Sequence, residues 1–282
     1  MNENYLDRIH AELTRVLDEV IRVCKAEGIS VYLTSGTLLG AVRHGGFIPW
    51  DDDVDVAIPR KDFNRFVSLA PKVLGPSFAL GWTNTEASWY HPFAKVYSRD
   101  TEFVERLGPD TLISTGIFVD IYPLDYASGN LRAARRKYRI RTFATTTAVA
   151  ARTGAFSRNR GTRLLQKALL GLLGPNRLID LSARYLSLHG KKRCYVNYAS
   201  YYVPDREMFP LSCFAPAKLR FGEREYPVPA GYDTVLRTLY GDYSQLPPVE
   251  KRVAHHPVRV RFPDGEVMDF EKMTAFQQEA AV

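Results

Sequence analysis

Asp51, Asp52, Asp53 and Asp55 place four carboxylates within five positions. Like charges at contact distance repel by on the order of 1 kcal/mol per pair even in water, and more near a protein surface. A chain that folds with these groups together therefore needs positive charge among them. From Asp53 onward acidic and apolar residues alternate through Val54, Asp55 and Val56. That pattern predicts a strand with Asp53 and Asp55 on one face and Val54 and Val56 on the other. Upstream stands Ser35-Gly36-Thr37, read as a turn opening a short helix over 37–42, whose free backbone amides suit phosphate. Paired carboxylates after such a turn predict a Mg²⁺ site that handles phosphate.

Three plainer readings compete. A solvated acidic loop accounts for Asp51 and Asp52 but not for the alternation that follows. A calcium loop of the D-x-D-x-D type requires Gly at its sixth place and Glu at its twelfth, where this chain has Val56 and Asp62. Helix capping needs one Asp, not four. The metal reading leads.

The stretch 36–55, GTLLGAVRHGGFIPWDDDVD, resembles the signature of the LicD family, which includes the fukutin-related proteins. Two further blocks resemble the same family: GIFVDIYPLD at 116–125 and YPVPAGYDTVLRTLYGDYSQLPP at 226–248. The likeness implies a nucleotidyltransferase-type fold, in which a Gly-Gly or Gly-Ser turn precedes D-x-D on a strand and a later strand adds a third carboxylate. Gly36-Thr37 stands at the turn, Asp53 and Asp55 at D-x-D, and Asp120 at the third position. Asp120 lies between Val119 and Ile121 in an apolar run, where an unpaired carboxylate is costly. A metal or a basic partner would each satisfy it, and the metal is preferred because Asp53 and Asp55 need another ligand. Asp125 reads as a turn residue. By the same resemblance, Asp53, Asp55 and Asp120 are the catalytic and metal-holding residues for one or two Mg²⁺ ions. Gly36 and Thr37 orient a phosphate, and Lys95 matches a strand lysine that neutralises donor phosphate. Arg43 and His44 are placed to contact phosphate, although Arg43 equally suits an ion pair with the Asp cluster. Trp50 suits stacking on a base or cation, or plain packing. Trp82, Trp89, Tyr90 and His91 carry the same ambiguity. His255 and His256 resemble a C-terminal feature of the family, without a spacing that gives them a role.

The expected fold is α+β: a nucleotidyltransferase-like mixed sheet with flanking helices and a helical insertion. Residues 3–27 read as an amphipathic helix ended by Gly28, and strands are expected over 31–34, 53–58, 78–82, 93–97 and 117–122. The parts are a catalytic core over 1–125, a basic helical segment over 126–198 and a C-terminal part over 199–282 that packs back on the core. The net charge of +7 is concentrated: twelve Lys or Arg and no acid fall between Asp125 and Asp180. This predicts peripheral contact of 132–177 with an anionic membrane or polyanionic acceptor, against the alternative of a solvated helical face. No zinc-finger or RNP-like motif accompanies the charge, so nucleic acid is not expected. The N-terminus lacks the pattern of a secretory signal, no apolar run reaches membrane-spanning length, and three scattered cysteines suggest neither zinc cluster nor disulfide framework. A cytoplasmic location, at the inner membrane face, is expected.

The resemblance implies a Mg²⁺-dependent transferase that moves a phospho-alcohol, phosphocholine or ribitol phosphate, from a CDP-linked donor to a glycan or glycolipid acceptor. A nucleotidyltransferase that forms a CDP-linked compound or attaches NMP is the close alternative. A non-catalytic polyanion or membrane-surface binder is the alternative of another class.

Overall fold

The computed structural model describes residues 3–188, 192–252 and 257–270. His255 and His256 lie outside them. A first helix, α1 (Glu3–Ala26), turns Ile9, Leu13, Val16, Leu17 and Val20 inward at helical spacing, each at most 1% exposed. It stops at Gly28, whose φ of +61° is a conformation that costs glycine nothing. Strand β1 (Tyr32–Leu33) leads into α2 (Ser35–Arg43), and β2 (Asp55–Pro59) into α3 (Arg60–Val73). Then follow β3 (Phe78–Gly81), β4 (Ala94–Ser98), the hairpin β5 (Glu102–Gly108) and β6 (Thr111–Thr115), and the long strand β7 (Phe118–Ala127).

These elements form the sheet that carries the site. Its order is β1-β2-β7-β4-β3, with β2 and β7 parallel and the other neighbours antiparallel. The second half of β7 also pairs with β8 (Cys194–Val196), which pairs with β9 (Met208–Pro210). The α+β class is as the sequence predicts.

Helices α4 (Leu131–Thr153) and α5 (Arg160–Ser187) pack on each other. Asn side chains cap both, Asn130 accepting from Ala133 N–H and Asn159 from Thr162 N–H. A kink at Gly174, with φ +70°, followed by Pro175, divides α5 into two. Ala134 and Leu186 meet Val196 and Tyr198 in a small apolar cluster under β8. After β10 (Pro216–Phe221) and β11 (Arg224–Pro229), α6 (Tyr232–Tyr240) packs against α2. The last strands, β12 (Arg259–Arg261) and β13 (Val267–Asp269), extend the β5–β6 hairpin into a four-stranded sheet.

Two expectations need correction, and one element is new. The acidic strand begins at Asp55, not Asp53, and Asp55 to Ile58 are all buried. The alternation thus marks a strand covered on both faces rather than one wet face. Asp125 is no turn residue: it sits inside β7, fully buried, held by Arg60 with Nε to Oδ1 and Nη2 to Oδ2 both at 2.8 Å. An apolar run followed by Pro123 concealed that the strand continues. The β5–β6 hairpin, in the charged stretch 102–115, was not foreseen.

Candidate functional site

Strand register builds the site. Asp55 lies opposite Asp120 across the parallel β2–β7 pair, and Asp120 lies opposite Lys95 across the antiparallel β7–β4 pair. Two carboxylates and an ammonium therefore form one row over three adjacent strands. Lys95 Nζ is 3.1 Å from Asp120 Oδ1 and 4.0 Å from Glu105 Oε2 on β5. The basic partner considered for Asp120 is thus present, and Lys95 is itself buried, its ammonium lying over the Phe118 ring.

Asp55 is served less well. Its backbone N–H donates to Thr37 Oγ1 at 2.8 Å, but its Oδ1 is buried without a hydrogen-bond partner among the described residues. Burial first, then repulsion from Asp53, Asp120 and Asp51, raises its carboxyl well above the usual carboxylate range, with Lys95 opposing. Asp120 is pushed up to about 7, again by burial first, with Lys95 working against it and Asp53 and Glu105 for it.

Ser35, Gly36 and Thr37, expected as a turn, are already the first turn of α2, and this helix is shaped around these carboxylates. Ser35 opens α2 at φ +49°, an uncommon conformation for a residue with a side chain, at the cavity wall. A Cβ on Gly36 would stand 2.9 Å from Asp51 Oδ2, so Gly36 leaves room for that carboxylate. A Cβ on Gly40 would stand 2.4 Å from the Gly46 carbonyl oxygen, so only glycine lets 44–46 fold back on α2. From α1, His10 Nε2 is 2.7 Å from the Asp51 carbonyl oxygen, which fastens the cluster to the first helix.

The row opens into a cavity of about 710 Å³. Asp51, Asp52, Asp53, Asp55, Asp120, Gly36, Arg43, Lys95 and Trp50 all line it. Thr37 does not: it stands behind Asp55, buried, its hydroxyl oxygen engaged by the Asp55 N–H. Arg43 reaches the C-terminal part, donating to the carbonyl oxygens of Tyr243 at 3.1 Å and Gln245 at 3.4 Å. Trp50 stands under the Arg252 guanidinium at 5.3 Å. Trp82 and Trp89 serve packing, Trp82 edge-on to Phe63 and Trp89 Nε1 donating to the Phe93 carbonyl.

Several lining residues carry no signal in the acidic motif. Glu105 comes from the unforeseen hairpin, and Tyr201 and Tyr202 from the loop before β9. Tyr240 ends α6, and Asp242 and Tyr243 follow it, all within the third block that resembles the family. Phe93 and Tyr122, two residues before Lys95 and after Asp120, meet beside the row with ring centroids 4.5 Å apart and planes tilted by 39°. His91, Lys95 and Glu105 also line an adjoining cavity of about 540 Å³. Burial first, then Lys95 and Arg152 nearby, push the His91 imidazole well below its ordinary range.

The sequence pattern of the LicD/FKTN/FKRP nucleotidyltransferase domain matches residues 28–134, the segment that supplies the turn, the Asp cluster, Lys95 and Asp120. Residues 28–134 match a LicD-type domain. It is 27% identical over 266 residues to the lipopolysaccharide cholinephosphotransferase LicD of Haemophilus influenzae, an alignment covering 86% of this chain and 92% of that one. Human ribitol 5-phosphate transferase FKRP is 51% identical over 50 residues, which is 18% of this chain and 10% of FKRP. An uncharacterized Rickettsia typhi protein is 38% identical over 60 residues, 21% of this chain and 19% of its own length. This LicD-type domain spans β1 to the start of α4 and holds the whole Asp55–Asp120–Lys95 row.

Whether these residues suit a divalent cation can be judged from their chemistry. Hard carboxylate oxygens are the donors Mg²⁺ prefers, and the orphaned Asp55 Oδ1 among mutually repelling carboxylates is what a cation would relieve. Among the described residues no three His, Cys, Asp or Glu side chains already close on a single point. The donor set fits, with Asp53, Asp55 and Asp120 as the side chains that would converge on the ion.

Proposed function

We propose that this chain is a Mg²⁺-dependent phospho-alcohol transferase that takes its group from a CDP-linked donor and delivers it to a glycan hydroxyl. The observation that carries the reading is the buried Asp55–Asp120–Lys95 row at the floor of a cavity that Asp51, Asp52 and Asp53 also line. Burying so many carboxylates is expensive, and a fold that does so without use for them would be destabilised. The relatives supply the chemical class: one is a cholinephosphotransferase and another a ribitol 5-phosphate transferase. A pure polyanion binder gives no reason for a buried acidic row.

In this proposal Asp53, Asp55 and Asp120 hold the cation, which when bound offsets charge on the donor diphosphate. Lys95 sets a fixed positive charge beside the same oxygens. Gly36 leaves room at the cavity wall for the Asp51 carboxylate, while Thr37 holds the start of β2 in place through the Asp55 N–H. The acceptor hydroxyl attacks the transferred phosphorus in line. A new P–O bond forms to the glycan, the P–O bond to CMP breaks, and the hydroxyl proton passes to one of the lining carboxylates. Tyr122, Tyr201, Tyr202, Tyr240 and Trp50 offer aromatic faces to the donor head group.

The test is a Mg²⁺-dependent screen of CDP-choline, CDP-ribitol, CDP-glycerol and CTP. Release of CMP from one CDP-alcohol supports the proposal. Release of pyrophosphate from CTP, with no CMP from any CDP-alcohol, replaces it with the nucleotidyltransferase reading.

A further inference from the structure

The twelve basic residues of 126–179 do not act as one surface. On α4, Arg135 is paired with Asp205, and Arg141 is buried with Nη2 donating to the Ser200 carbonyl oxygen at 2.6 Å. The first half of α5 differs. Arg160, Arg163 and Lys167 recur at helical spacing and all are exposed. Beside them runs a second exposed stripe, Leu164, Ala168 and Leu172, with Leu165 at its edge. Leu172 is 77% exposed, Leu164 68% and Leu165 51%. The opposite side of the same turns carries buried Gln166 and half-buried Leu169, Leu170 and Leu173. The helix is therefore apolar on two sides, and only one of them meets the protein. The exposed apolar stripe ends at the Gly174 kink.

We propose that this solvent face of α5 is a docking surface for a membrane bearing anionic lipid. Charge complementarity selects that occupant. A leucine stripe flanked by Arg160, Arg163 and Lys167, in a stretch without a single acid, matches an apolar layer beneath negative head groups. The described residues contain no helix long and apolar enough to cross a membrane, so contact of this kind lies along the surface. The leucines enter the head-group boundary, and the basic stripe stays at the level of the phosphates. This inference is independent of the chemistry in the cavity.

The experiment is vesicle flotation of the full chain with phosphatidylcholine alone and with phosphatidylcholine mixed with phosphatidylglycerol, at low and high salt. The wild type is expected to float with the anionic vesicles and not with the neutral ones, and salt should weaken the contact. Leu164→Gln with Leu172→Gln should cut binding about tenfold or more. Arg160→Gln, Arg163→Gln and Lys167→Gln together should cut it about a hundredfold, from about fivefold per charge. Both variants alter exposed side chains, so an unchanged thermal midpoint checks that they fold. Equal flotation with both vesicle types overturns the proposal, as does full binding by the leucine variant. A wild type that is dimeric, with a monomeric leucine variant and no flotation, assigns the face to a second copy and also overturns it.

Discussion

Asp55→Asn should stabilise the protein freed of divalent ions while it abolishes transfer. Asp55 Oδ1 is buried without a hydrogen-bond partner among the described residues, and Asp53, Asp120 and Asp51 repel its charge. Leaving a buried polar group unsatisfied costs ~1–3 kcal/mol, and more for a charged one. The amide removes the charge but keeps the shape, and the backbone bond from Asp55 N–H to Thr37 Oγ1 is untouched. A gain of about 2 kcal/mol, or roughly 4–8 °C in thermal midpoint for a chain of this size, is expected in chelator at about pH 8. The pH dependence fixes the sign. A carboxyl whose folded pKa is raised contributes stability below the ordinary range and loses it as pH rises through the raised value. Wild type and variant should therefore converge on acidification, and Asp120, pushed up to about 7, adds a slope of the same sign to both, smaller in the variant because the Asp55 charge no longer repels it. Added Mg²⁺ should reverse the order by stabilising wild type alone. The assay is a thermal melt of both proteins from about pH 5 to about pH 8, with chelator and with Mg²⁺. A variant less stable than wild type at the alkaline end in chelator, or a gap that holds constant with pH, would refute the reasoning.

Further outcomes follow from the same geometry. Asp125→Ala should cost about 3–5 kcal/mol in denaturant melts, because it strands the buried Arg60 guanidinium. Arg60→Met with Asp125→Leu should recover most of that loss, and a double variant as unstable as the single one would deny that the stranded charge is the cause. Thr37→Val leaves the buried Asp55 N–H without its acceptor, a loss of ~1–3 kcal/mol, and should lower turnover through a displaced Asp55. Full activity in Thr37→Val would show that β2 needs no such anchor. Gly40→Ala meets the Gly46 carbonyl oxygen at 2.4 Å and should fail to fold or lose donor binding, as a thermal shift with CDP would show.

Much of this was legible in the chain because register follows from pattern. The apolar run around Asp120 reads as a central strand and the alternation around Asp55 as a second strand, and the sheet sets the two residues opposite each other. α1 was equally plain, since its apolar residues recur at helical spacing all the way to Gly28. Lys95 was visible as a strand lysine, but that it lies in the same row as Asp120 depends on strand order, which no local pattern encodes. Asp125 was misread because Pro123 normally ends a strand, whereas here the strand runs on to meet β8 and Arg60 neutralises the carboxylate. Glu105, Tyr201 and Tyr240 reach the cavity from segments far apart in sequence, and composition gives no hint of that convergence. The basic segment was legible as charge alone. Only the packing of α4 against the loop between β8 and β9 shows which of its cations are already engaged.

The account stands or falls on whether the acidic row holds a divalent cation. Binding of Mn²⁺, as a spectroscopic stand-in for Mg²⁺, can be titrated directly by electron paramagnetic resonance with and without CDP. Wild type should bind one or two ions, more tightly with CDP present, and Asp53→Asn and Asp120→Asn should each weaken that binding about tenfold or more. Wild type that leaves all Mn²⁺ free even with CDP, or variants that bind it as wild type does, would contradict the central claim.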